Sequence, residues 1–129
     1  MAETNPEENA DVDRFIMERI DTVPHLEALL MMWREHPRRW SAETMARRLW
    51  VHPEVARAIL QDLARDRLAV AVADQAEYHY RSEPEQDRLL ARMNESYRRE
   101  MIRISNMIHS KPSSAIREFA RAFRLRKRD

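Results

Sequence analysis

The chain of 129 residues contains no glycine and no cysteine. Without cysteine there are no disulfides and no thiolate metal sites, which fits a reducing cytoplasm. Without glycine there are no phosphate-cradling loops of the P-loop or dinucleotide type, since those need a backbone free of Cβ where the phosphate approaches. Every helix must also end without the residue that best tolerates a left-handed cap. Long apolar runs are missing too. The longest, residues 28–33, falls far short of the ~20 residues that span a bilayer. The opening MAETNPEENADVD is acidic and polar, unlike a secretory signal. The expectation is therefore a cytoplasmic protein without integral membrane association. Lysine is scarce, with 2 against 21 arginines. That bias suits phosphate binding, and it is equally what a biased genomic base composition produces.

What is present suffices for one small domain and an appendage, because 43% of the residues are apolar and can bury a core. Residues 1–11 carry Glu3, Glu7, Glu8 and Asp11 and no base, and read as a disordered acidic leader. A short helix is expected from about Val12 to Asp21, burying Phe15, Ile16 and Ile20. Thr22 can cap the next, with Pro24 in its first turn. There Leu26, Leu29, Leu30 and Trp33 make an apolar face widened by Met31 and Met32, and Pro37 ends it.

Residues 40–73 then read as helix, tight turn, helix and strand. Ser41 supplies an N-cap oxygen, and Met45, Ala46 and Leu49 follow on one face. Val51 enters the turn, with His52 opening the next helix and Pro53 in its first turn. Val55, Ile59, Leu60 and Leu63 form the second stripe, and Leu68, Val70 and Val72 alternate as in a half-buried strand. Residues 68–73 and 77–81 make a hairpin around Asp74, Gln75 and Ala76, with Tyr78 and Tyr80 on one face. This order of elements resembles the winged helix-turn-helix proteins, mostly bacterial transcription regulators, over residues 12–81. The fold class expected is mainly α with a small β-hairpin. The resemblance implies a non-enzymatic protein that binds double-stranded DNA. In such a protein the second helix of the motif enters the major groove.

A wheel of 100° per residue over residues 53–66 turns Val55, Ala56, Ile59, Leu60 and Leu63 inward and Glu54, Arg57, Ala58, Gln61 and Arg65 outward. Arg57, Gln61 and Arg65 are the candidate base readers, having donors suited to guanine and adenine edges. Arg39, Arg47 and Arg48 are the candidate phosphate contacts. Two positions depart from the family pattern. Trp50 and Arg67 stand where glycine is common, and each would cost on the order of 1 kcal/mol if held left-handed. Charge also matters, since affinity for DNA rests largely on neutralised phosphates. Residues 13–81 hold 11 basic and 11 acidic residues, and the wing tip carries Asp74 and Glu77. From Arg98 onward there are 10 basic and 3 acidic residues, so the positive charge of the chain lies in its C-terminal part.

That part begins with a capping pattern, Ser82 with Glu85, and a helical period through residues 82–110, a rod of roughly 40 Å. Leu90, Met93, Tyr97, Met101, Ile104 and Ile108 form its stripe. A rod of this length outreaches a small domain, which makes the stripe the expected seam of a homodimer. Residues 111–129 follow as a short basic amphipathic helix and tail, capped by Ser113. Arg117, Phe119, Arg121, Phe123 and Arg124 are its candidate docking residues, toward an acidic protein partner or a membrane surface. A winged-helix interaction adaptor using that tail is the alternative function. The five histidines fall on separate elements without a His or Cys at ligand spacing, so no metal, cofactor or catalytic constellation is expected.

Overall fold

The computed structural model describes residues 6–112. Along them run α1 (Pro6–Arg19), α2 (Val23–Arg34), α3 (Ala42–Leu49), α4 (Pro53–Arg65), β1 (Ala69–Val72), β2 (Glu77–Tyr80), α5 (Pro84–Arg99) and α6 (Met101–His109). Residues 1–5 of the acidic leader and the basic helix expected after Pro112 lie outside the described residues.

The helix boundaries follow local chemistry at most ends. Thr22 Oγ1 accepts from the His25 N–H at 3.3 Å and caps α2. Ser41 caps α3 in a reciprocal arrangement. Its hydroxyl accepts from the Thr44 N–H at 3.1 Å, while Thr44 Oγ1 accepts from the Ser41 N–H at 2.9 Å. His52 opens α4, its Nδ1 accepting from the Glu54 N–H at 3.0 Å ahead of Pro53. Three boundaries differ from the sequence expectation. Helix α1 starts at Pro6, so residues 6–11 belong to a helix and not to a disordered leader. Burial of Val12, Phe15, Ile16 and Ile20 against the rest of the chain carries the helix through its polar first turns. Helix α5 starts at Pro84 after Glu83, which makes no side-chain cap, and the Ser82–Glu85 box does not form. Ser82 Oγ instead donates to Asp87 Oδ2 at 2.7 Å.

The third difference is the largest. The expected rod of residues 82–110 is two helices, broken at Glu100 (φ −129°, ψ 45°). Neither proline nor glycine causes the break; packing does. Past it, α6 lies along α1, with Arg103 Nη1 3.0 Å from Asp13 Oδ2 and Lys111 Nζ donating to the Ile16 carbonyl at 2.9 Å and also to that of Ile20. Ile104 and Ile108 are thereby buried in the chain's own core together with Leu90, Met93 and Tyr97.

The hairpin pairs Ala69 with Tyr80, Val70 with His79, Ala71 with Tyr78 and Val72 with Glu77, antiparallel. Tyr78 and Tyr80 are buried on its core side, as their alternation predicts. Trp40 adds a bridge alongside Tyr78. Its N–H donates to the Tyr78 carbonyl at 2.7 Å and its carbonyl accepts from the Tyr78 N–H at 2.8 Å. Its indole is fully buried beneath the guanidinium groups of Arg38 and Arg48, 4.4 and 5.2 Å from the ring centroid. The hairpin is thus tied to the residue before α3. The loop after β1 turns through Ala73, Asp74 and Gln75, all at positive φ (52°, 54° and 67°). Without glycine, each holds this region against the Cβ–carbonyl clash that disfavours it.

Candidate nucleic-acid interface

Met45 and Ala46 of α3 meet Ala56, Ile59, Leu60 and Leu63 of α4 in the core, which fixes the two helices as one unit. Between them Trp50 is left-handed (φ 58°, ψ 45°), and the Val51 N–H donates to the Ala46 carbonyl at 3.1 Å to close the turn. The opposite face of α4 is open to solvent, with Glu54, Arg57, Ala58, Gln61 and Arg65 all exposed as the wheel predicts. Val55 does not follow the wheel: it is 46% exposed rather than inward. It stands in the first turn of α4, and a wheel assigns a face without saying how far along the helix the covering surface reaches. Trp50, 93% exposed, adds a second apolar side chain to this surface. A groove of about 740 Å³ runs past it, lined by Glu43, Ala46, Arg47, Trp50, Val51, His52 and Pro53.

The candidate phosphate and base contacts separate into distinct environments. Arg47 lines the groove and has no ion-pair partner among the described residues. Arg57 lies 3.7 Å from Glu43 on the same groove, and Gln61 follows one turn along α4. Arg65 is a further turn away and is held by Asp62 at 2.6 Å. Arg39 stands beside the hairpin, 3.8 Å from Glu77. Arg48 is differently employed. Its two terminal nitrogens reach both oxygens of Glu35 at 3.3 and 2.6 Å while its plane covers Trp40. This hydrogen bond, with help from Arg38, holds the Glu35 carboxyl below the usual carboxylate range. Arg48 therefore locks α2 to α3. Exposed ion pairs contribute only about 0–1 kcal/mol. Arg39, Arg57 and Arg65 can thus exchange a carboxylate for a phosphate at small cost, whereas Arg48 would uncover Trp40.

The side chains expected at a dimer seam are placed otherwise. Leu90, Met93, Tyr97, Ile104 and Ile108 are buried within the chain, and of the six only Met101 is exposed. The break at Glu100 is the reason, since it turns the second half of the stripe onto α1. Ile102, 78% exposed, stands next to Met101 on the outside of the break. The docking candidates Arg117, Phe119, Arg121, Phe123 and Arg124 lie outside the described residues.

Sequence reasoning gave Trp40 no role, although a signal was there. An apolar residue just before an N-cap and another at the fourth helical position, here Trp40 and Met45, form the staple pattern. It also left unread the meeting of Asp21, His25 and Asp62, which are brought together by tertiary packing and not by spacing.

No protein-family model and no curated protein sequence matches the chain. Two solved structures are similar to it. One is MepR, a transcription regulator of the Staphylococcus aureus multidrug efflux pump MepA. It is 14% identical, with a TM-score of 0.50 over 94% of this chain and 87% of MepR. The chain has the winged helix-turn-helix fold. The other similar structure is a MarR family protein from Bacillus stearothermophilus, 16% identical, with a TM-score of 0.49 over 95% of this chain and 84% of that one. In this winged helix α4 is the second helix of the helix-turn-helix, β1 and β2 form the wing, and Trp40 supplies the short strand segment that anchors it.

Proposed function

We propose that this winged helix is a DNA-binding transcriptional regulator that acts as a homodimer in the cytoplasm and catalyses no reaction. The observation that carries this reading is the α3–α4 surface. A recognition helix lies with its polar face uncovered, Arg57 and Gln61 outward, beside a groove holding Arg47, which has no ion pair among the described residues, and a fully presented Trp50. Arg57, Gln61 and Arg65 read base edges in the major groove, and Arg39 and Arg47 hold phosphates. Arg48, engaged with Glu35 and Trp40, supports the surface rather than contacting DNA. The second copy docks on the exposed Met101 and Ile102 at the start of α6 and on Met17 of α1, the helix that α6 packs against. No helix among the described residues is long and apolar enough to cross a membrane.

Titration of a labelled duplex pool at low and moderate salt tests the reading. Binding that weakens steeply with salt, and is reduced by Arg47→Ala and Arg57→Ala but not by Arg98→Ala, supports it. Absence of binding at low salt, or equal losses in all three variants, removes it. The acidic wing and the carboxylates beside Arg39, Arg57 and Arg65 favour a second reading, an adaptor that docks through its basic tail on an acidic protein. Deleting residues 113–129 distinguishes the two. A regulator keeps its duplex binding, whereas an adaptor loses a protein partner and never had DNA affinity.

A further inference from the structure

We infer that Asp21, His25 and Asp62 form a binding site for a divalent transition-metal ion, Zn²⁺ before Mn²⁺. The three come from the α1–α2 connection, the first turn of α2 and the third turn of α4, and one donor atom from each lies within 4.8 Å of the others. The imidazole is oriented from both sides. Its Nδ1 lies 2.7 Å from Thr22 Oγ1, and its Nε2 points at Asp62 Oδ2 at 2.9 Å. A ring held through one nitrogen by an outer hydrogen-bond partner is how metal-ligating histidines are oriented, and here the other nitrogen faces the Asp62 carboxylate. His25 and Asp62 side chains are 12% and 26% exposed, dry enough to strengthen the charge interaction and open enough to admit an ion.

The donor set chooses the ion. One imidazole nitrogen and two carboxylate oxygens suit Zn²⁺ and Mn²⁺, whereas Mg²⁺ and Ca²⁺ favour oxygen alone. Two carboxylates balance the double charge, and three protein donors leave a fourth position for water. Little movement is needed between His25 and Asp62. Donors about 2.0 Å from a tetrahedral ion stand about 3.3 Å apart, against 2.9 Å between His25 and Asp62 now. The other oxygen of Asp62 accepts from Arg65 at 2.6 Å, so the ion and Arg65 share one carboxylate from its two sides. Occupancy therefore fixes the last turns of α4 to α2 and changes the hold on Arg65. That consequence for base reading rests on the proposed function; the metal site does not.

The test uses the full chain, stripped with chelator and titrated with Zn²⁺ alone in competition with a chromophoric chelator. The expected result is saturation at one ion per chain. Affinity should fall at least tenfold in Asp21→Asn, His25→Gln and Asp62→Asn and about 10–100-fold in Thr22→Val, the range for removing an outer partner, with His109→Gln unchanged. Circular dichroism checks that each variant is folded. Should Asp62→Asn unfold, Asp21→Asn in the connection carries the comparison. Absence of saturable binding, or binding unaltered in folded Asp21→Asn and His25→Gln, overturns the site and leaves a plain His–Asp hydrogen bond. Duplex affinity with and without Zn²⁺ is a separate arm. A chain that binds Zn²⁺ but no DNA refutes the regulator and keeps the site.

Discussion

The helix-turn-helix and the C-terminal helix pair both carry an apolar stripe of helical period, and both turn it into the same core. They differ in what is left outside. Around α3 and α4 the exposed side chains include Arg47, Arg48, Arg57, Gln61 and Arg65 with Glu43, Glu54, Val55 and Ala58 among them, and one bare aromatic ring on a left-handed residue. Around α5 and α6 the exposed side chains include Arg88, Glu95, Arg98, Arg99 and Arg103, with two apolar ones, Met101 and Ile102, gathered at the helix break. The buried halves are alike, so they distinguish nothing about function. The exposed halves differ in where the apolar part lies, and under the proposed function the first meets a polyanion and the Met101–Ile102 pair a second copy of the chain. Strain follows the same division. Among the described residues five are left-handed, and four of them, Arg67, Ala73, Asp74 and Gln75, lie at the end of α4 or in the wing, with Trp50 in the turn. All belong to the helix-turn-helix and wing; among the described residues none belongs to α5 or α6.

The sharpest way to break this comparison is to cut inside and outside the C-terminal stripe. Ile104→Ala should destabilise the chain by about 2–5 kcal/mol in urea unfolding, the range for a buried large-to-small change. Ile102→Ala should stay within about 0.5 kcal/mol in dilute monomer, and its effect should appear as weaker self-association in light scattering. If the two cost the same at every concentration, the division into inner and outer residues fails. Next in size is the α3 cap. Ser41→Ala should cost about 1 kcal/mol, since the Thr44 N–H loses its acceptor. Arg67→Gly should act in the opposite direction, stabilising by up to about 1 kcal/mol by relieving a left-handed residue at φ 62°. A loss of stability there would mean that the arginine side chain makes up for the backbone strain.

The smallest effect expected concerns acid. Asp87 is held below the usual carboxylate range chiefly by the Tyr80 hydroxyl and then by Ser82, and Glu35 by Arg48. The Tyr80 hydroxyl is pushed up, first by burial and then by its bond to Asp87. A carboxyl whose folded value is depressed contributes stability above its unfolded value and loses it as pH falls through the folded one. Unfolding midpoints should therefore decline below about pH 4. Asp87→Asn should lower stability at pH 7 and flatten that decline; an unchanged acid limb would mean that the Tyr80–Asp87 bond contributes nothing.

Much of this fold is legible from local chemistry. The caps Thr22 and Ser41, Pro53 at the start of α4, the stripe of α4 from Ala56 to Leu63 and the tyrosine alternation of β2 each depend on residues within a few positions, and each takes its expected place. What fails depends on distant partners. Helicity of residues 6–11, the break at Glu100 and the exposure of Val55 are decided by which surface lies opposite, and spacing does not encode that. The candidate site divides the same way. The outward position of Arg57, Gln61 and Arg65 follows from the wheel, whereas the engagement of Arg48 with Glu35 and of His25 with Asp62 arises from contacts across 13 and 37 residues. Interface and core share one apolar alphabet, so the stripe of α5 and α6 does not announce which chain covers it.

The most direct test follows backbone amide shifts while duplex DNA is added to the labelled chain at low salt. The account predicts that the largest changes fall on Arg47, Trp50, Val55, Arg57 and Gln61, with the amides of Leu90, Met93 and Ile104 unmoved. Changes centred on α5 and α6, or none anywhere while the duplex is in excess, would contradict it.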